Sequence, residues 1–148
     1  MRSRGIYVWR YRTEHSTCSE PLVIGDHVFF GGWDHYLYKF DKRSGELVWK
    51  YQLNGESDYG SPISAERMIF LPVGGSTFRY LNPESKEVIW TPGLESKIFN
   101  VTPVYNDGKV YISTLNSIGL GVYRSLLRCL PLIPAMGSCS GRLMEAED

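Results

Sequence analysis

A chain of 148 residues is long enough for one domain with a core of its own. Sixteen basic residues balance sixteen acidic ones, and their scatter argues against the basic stripe of a nucleic-acid-binding surface. Ten tyrosines and four tryptophans favour strands over helices, and no apolar run of about eighteen residues offers a membrane span.

The first stretch, Gly5 to Arg12 (GIYVWRYR), reads as a strand. It carries charge but no continuous apolar segment of the signal-peptide kind. Next come Pro21 to Ile24, a Gly25-Asp26 turn, His27 to Phe30, a loop from Gly31 to His35, and a strand from Tyr36 to Phe40. Asp41-Lys42-Arg43-Ser44-Gly45 is a hairpin loop. Asp41 is placed to accept hydrogen bonds within the turn, and Gly45 supplies the left-handed conformation such loops use. Leu47 to Tyr51 closes the unit through Trp49.

The pattern then recurs. Trp9, Trp49 and Trp90 fall 40 and 41 residues apart, and Pro21, Pro62 and Pro103 fall 41 and 41 apart. In the second unit, Ile69 to Leu71 and Phe78 to Leu81 are strands around Val73-Gly74-Gly75-Ser76, and Asn82 to Lys86 is the hairpin. Lys86 replaces Gly45, which costs on the order of 1 kcal/mol if the left-handed conformation persists. The third unit begins with Val101 to Tyr105 and Lys109 to Ser113, and predicts a further strand over Ile118 to Val122. From Arg124 to Asp148 no alternation, turn cluster or tryptophan follows, so 124–148 reads as an irregular tail foreign to the repeat.

Four short strands in a period near 40 residues is the sequence signature of a β-propeller blade. The fold expected is all-β: a partial propeller of four-stranded antiparallel blades over 1–123, holding one last strand, two full blades and most of a third. Closed propellers take about four to eight blades. The expectation is therefore a piece of a longer propeller, or one that self-associates through open blade edges.

The residues Lys39 to Trp49, with Asp41, Gly45 and Trp49 at their places, resemble the A-x-D-x-x-T-G-x-x-x-W tryptophan-docking motif of PQQ-like β-propeller repeats. Ser44 stands for the threonine and Lys39 for the alanine. The second copy keeps Trp90 but has Asn82 for the aspartate. The resemblance covers roughly residues 5 to 122 and implies that Trp9, Asp41, Gly45, Trp49 and Trp90 dock blades together. It implies no single activity, since similar repeats build quinoprotein dehydrogenases, an outer-membrane assembly lipoprotein and accessory domains of enzymes. By the resemblance alone, a periplasmic or cell-envelope location is expected.

Trp33 lies off the lattice, in the loop that also holds Asp34 and His35. A tryptophan beside a carboxylate and an imidazole suits a partner-binding surface; a loop held by its own turn bonds is the plainer reading. The connections between blades contribute Glu14 to Thr17, Asp58 and Tyr59, and Phe99 and Asn100, on the same expected face. These residues predict a face for a protein partner or for further blades.

Catalytic signals are weak. No ligand pattern of the HExxH, CxxC or EF-hand kind occurs, and Asp34 and His35 point to opposite sides if the chain there is extended. Cys18, Cys129 and Cys139 form no adjacent pair. A PQQ-dependent dehydrogenase would carry, by the resemblance, a vicinal cysteine pair and calcium ligands. Hence no cofactor, quinone or calcium is expected here, except under the alternative that the chain is part of such an enzyme. Gly74-Gly75-Ser76 precedes no helix and is not a phosphate loop. Asn100-Val101-Thr102 fits a glycosylation triplet.

Overall fold

The computed structural model describes residues 6–17, 19–53, 60–91, 101–119 and 122–131, and among them there is no helix. Two sheets have four antiparallel strands each in chain order. The first holds β1 (Leu22–Ile24), β2 (His27–Gly31), β3 (Tyr36–Asp41) and β4 (Leu47–Gln52). The second holds β5 (Ile63–Ala65), β6 (Met68–Pro72), β7 (Phe78–Leu81) and β8 (Val88–Trp90). A third sheet is ordered β11-β10-β9, from β9 (Val104–Asn106), β10 (Lys109–Gly119) and β11 (Val122–Pro131).

The outer hairpins of the two full blades are built alike. Asp41 N donates to Glu46 O and Gly45 N to Asp41 O, both at 2.9 Å; Asn82 N donates to Glu87 O and Lys86 N to Asn82 O at the same distance. Asp41 Oδ1 accepts from Arg43 N (2.9 Å), Ser44 N (2.7 Å) and Ser44 Oγ (3.0 Å). These bonds to the ionised form, those from Ser44 foremost, hold its carboxyl below the usual range. Asn82 Oδ1 accepts the corresponding Glu84 N and Ser85 N. A register shift follows in each hairpin, between Lys39 and Phe40 and between Tyr80 and Leu81.

Gly45 has φ 73° and Lys86 has φ 63°, so the left-handed conformation does persist without glycine. Gly45 meets a second demand. A Cβ there would sit 2.4 Å from Cγ of Trp9. Lys86→Gly is therefore expected to stabilise by about 1 kcal/mol, and Gly45→Ala to destabilise by clearly more than that. Paired chemical-denaturation curves check this; equal and opposite effects would show that the Trp9 contact contributes nothing.

The core lies between sheets. Phe29, Leu37 and Leu53 of the first blade pack with Ile69, Leu71, Val73 and Leu81 of the second, and Trp49 borders them. Ala65, Phe70, Phe78 and Tyr80 of the second blade pack with Val110 and Ile112 of the third sheet, and Trp90 borders those. A blade buries both faces only by having neighbours, which is why β3 is buried from Leu37 through Phe40. Tyr38 and Phe40 are covered by Tyr11, and Phe40 also by Trp9.

Two expectations are corrected. Residues 6–12 form no strand: a strand needs a neighbour to take its ladder bonds, and no described strand pairs with them. Trp9 docks nonetheless, stacking on Phe40 at 6.0 Å and donating Nε1–H to Lys42 O at 2.9 Å. Ile6, Tyr7 and Val8 are exposed. In the third sheet, the strand expected over Ile118 to Val122 is absent as such. Instead β10 continues to Gly119 and β11 returns alongside it, from Gly119↔Val122 to Lys109↔Pro131. The part of the expected irregular tail from Arg124 to Pro131 is thus strand. Two residues separate the partners, a hairpin length, and antiparallel pairing satisfies backbone groups that an irregular chain would leave open. Residues 132–148 lie outside the described residues.

Candidate functional site

The β2–β3 loop is held from three sides. Gly32 N donates to Tyr36 O at 2.9 Å and His35 N to Gly32 O at 3.1 Å, which closes the turn. Trp33 N donates to Ser16 O at 3.1 Å, and Thr17 Oγ and Ser19 Oγ donate to Gly31 O at 2.7 and 2.8 Å. Leu53 N donates to His35 O at 2.7 Å. The expected neighbourhood of the Trp33 loop and the Glu14-to-Thr17 connection is therefore present. Lys50 joins them, 3.7 Å from Glu14 Oε1 and 4.4 Å from the centre of the Tyr36 ring.

Asp34 points inward. Its Oδ2 accepts from Tyr38 Oη, and its Oδ1 accepts from Tyr36 N at 3.3 Å. Burial, then the bond to Asp34, pushes the Tyr38 phenol well above its usual value. Oδ1 also lies only 2.4 Å from where a Cβ on Gly32 would be, so a side chain there would push the carboxylate off Tyr38 and Tyr36. His35 takes φ 66°, and its Nδ1 is buried with no hydrogen-bond partner among the described residues. The Asp34 carboxylate thus bonds to Tyr38 and Tyr36, and these bonds position the loop. Trp33 remains 38% exposed.

Asp58, Tyr59, Phe99 and Asn100 lie outside the described residues. Cys129 is a free, exposed thiol. Among the described residues no three His, Cys, Asp or Glu side chains converge. No helix of the described residues is long and apolar enough to cross a membrane. Sequence reasoning missed Lys39. It is 1% exposed, with Nζ 2.7 Å from Glu84 Oε2 and 3.2 Å from Pro83 O. Its bond holds the Glu84 carboxyl below the ordinary range. The available signal was a lysine at the alanine place of the docking motif, on a strand whose neighbours are apolar.

The repeat geometry agrees with sequence comparison. The PQQ-like repeat family described as outer membrane protein assembly factor BamB matches residues 2–69 and 34–124. The chain belongs to this family. BamB from Burkholderia pseudomallei (strain K96243) is 24% identical over 96 residues, which is 65% of this chain and 24% of that protein. The chain thus spans about a quarter of this curated BamB relative. The crystal structure of BamB from Moraxella catarrhalis superposes with a TM-score of 0.58 at 15% identity, covering 68% of this chain and 30% of that one. A quinohemoprotein alcohol dehydrogenase from Pseudomonas putida HK5 superposes with a TM-score of 0.66 at 17% identity, covering 82% and 20%. At such identities the structures show the propeller fold. The BamB family and a dehydrogenase share it, so the fold alone does not select between a binding and a catalytic role.

Proposed function

We propose that this chain is a non-catalytic propeller module that binds a protein partner, its recognition face built on the Trp33 loop. The observation that carries this reading is Trp33 itself. It sits off the blade-docking lattice and stays partly exposed on a loop whose backbone is pinned at both ends. A rigidly placed, part-exposed aromatic suits an interface anchor, and the Lys50–Glu14 ion pair, which reaches Tyr36 at the end of the same loop, supplies mixed charge nearby in the chain. The outer-membrane assembly role of its curated relative suggests a partner engaged in that assembly, in the periplasm or cell envelope. In this reading the chain works without quinone or calcium. The alternatives, a piece of a quinoprotein dehydrogenase or an accessory domain of a larger enzyme, rest on likeness of fold.

A photo-crosslinking residue at position 33, compared with one at exposed Val48 on β4, tests the face. The expected result is a discrete adduct from position 33 and none from 48. Trp33→Ala should weaken binding of the crosslinked partner by about 10-fold or more while leaving the protein folded. Equal crosslinking from both positions, or alcohol-dependent dye reduction by the protein supplied with PQQ and calcium, would sink the reading.

A further inference from the structure

The first two tryptophan docks of the chain, at Trp9 and Trp49, occupy equivalent places in the repeat but are bonded differently. At the first, Trp9 Nε1 donates to Lys42 O at 2.9 Å. One period later the same pair is Trp49 and Pro83. Repetition therefore places the Trp49 indole on Pro83 O. That carbonyl instead accepts from Lys39 Nζ at 3.2 Å. Trp49 Nε1 is buried and has no hydrogen-bond partner among the described residues.

The amine is well housed. Nζ lies 5.7 Å from the centre of the Phe29 ring and 5.9 Å from that of Trp49, and Glu84 Oε2 is 2.7 Å away. A buried cation requires such partners, because unpaired it is strongly disfavoured. Glu84 is the exposed end of the pair, on the hairpin tip of the second blade. The carbonyl thus has two candidate donors, one charged and anchored to Glu84, the other neutral and left without an acceptor.

We propose that Lys39 and Trp49 are alternative donors to the Pro83 carbonyl, so that the junction of the first and second blades is a two-position latch held by the Lys39–Glu84 pair. With the pair intact, Lys39 takes the carbonyl. When the amine is absent or loses Glu84, the indole takes the carbonyl, as Trp9 does at the preceding dock. Lys39 is a positioning residue that acts through Trp49.

The indole N–H resonances of the full chain, assigned by single Trp→Phe replacements, read the latch. In the unmodified protein the Trp49 signal is expected upfield of the Trp9 signal, as for an N–H without an acceptor. Lys39→Met keeps the stem and removes the amine; it should move the Trp49 signal downfield toward that of Trp9. Glu84→Gln should move it in the same direction by less. Loss of packing alone would lower stability without this shift. A folded Lys39→Met protein with an unmoved Trp49 signal would overturn the proposal. So would an unmodified protein whose Trp49 signal already matches Trp9. If Lys39→Met does not fold, the unmodified spectrum and Glu84→Gln decide.

Discussion

Phe70→Ala is expected to cost about 3–5 kcal/mol, the usual range for emptying an aromatic site in a core. Phe70 is fully buried on β6. It stacks on Phe78 at 5.1 Å, meets Trp90 at 6.5 Å, and shares a cluster with Val110 and Ile112 of the third sheet. The cavity would open inside a cluster built from both sheets, whose other members Ala65, Tyr80, Val110 and Ile112 are held by their own strands, so collapse cannot fill it cheaply. A loss of that size is comparable with the whole stability of a small domain, about 5–15 kcal/mol. Urea denaturation should show a lower midpoint with an unchanged slope, or no folded baseline at all. A loss below about 1 kcal/mol would show that this interface is not a packed core.

Asp34→Ala is expected to cost about 1–3 kcal/mol, because it strands the Tyr38 hydroxyl and the Tyr36 amide that the carboxylate now accepts from. Tyr38→Phe removes the same bond from the other side and adds a pH signature. The folded state holds the Tyr38 phenol above its ordinary pKa, so its stabilising effect is present below about pH 10 and fades as pH rises past that value. Melting temperatures taken from about pH 8 to about pH 11 should fall less steeply for Tyr38→Phe than for the unmodified protein. Parallel curves would mean that neither burial nor Asp34 raises the phenol in the folded state. Under the proposed function, both replacements should also weaken partner binding, since they release the loop that carries Trp33.

Much of the fold was legible because a repeat states the same physics more than once. Prolines 41 residues apart, strand cores at a constant offset after them, and a hairpin with a turn acceptor in Asp41 and Asn82 located both full blades. The left-handed turn at Lys86 followed from its equivalence to Gly45, not from its own propensity. Residues 6–12 misled because alternation reports which residues suit a strand, and pairing depends on what lies beside them. The third sheet misled because the repeat put a break between Ser113 and Ile118, whereas β10 runs through it and pairs directly with β11.

The site was legible in outline. The loop of Trp33 and its contact with the Ser16 connection were readable from blade topology. The inward turn of Asp34 was not, because its partner Tyr38 lies on the next strand and only the folded register brings the two together. Lys39 was hidden for the same reason on a larger scale. A lysine on a strand is ordinarily a solvated residue, and Glu84 is 45 residues further along the chain.

The second blade separates two cores that share no residue. On its middle strands, the side to which a residue answers is decided by parity. Ile69, Leu71 and Leu81 face the first blade, whereas Phe70, Phe78 and Tyr80 face the third sheet. Neighbours in the chain therefore report on different junctions, and damage at Ile69 and damage at Phe70 would loosen opposite sides of one partition. A substitution scan along β6 should accordingly alternate in which outer sheet first loses amide protection, with a period of two residues.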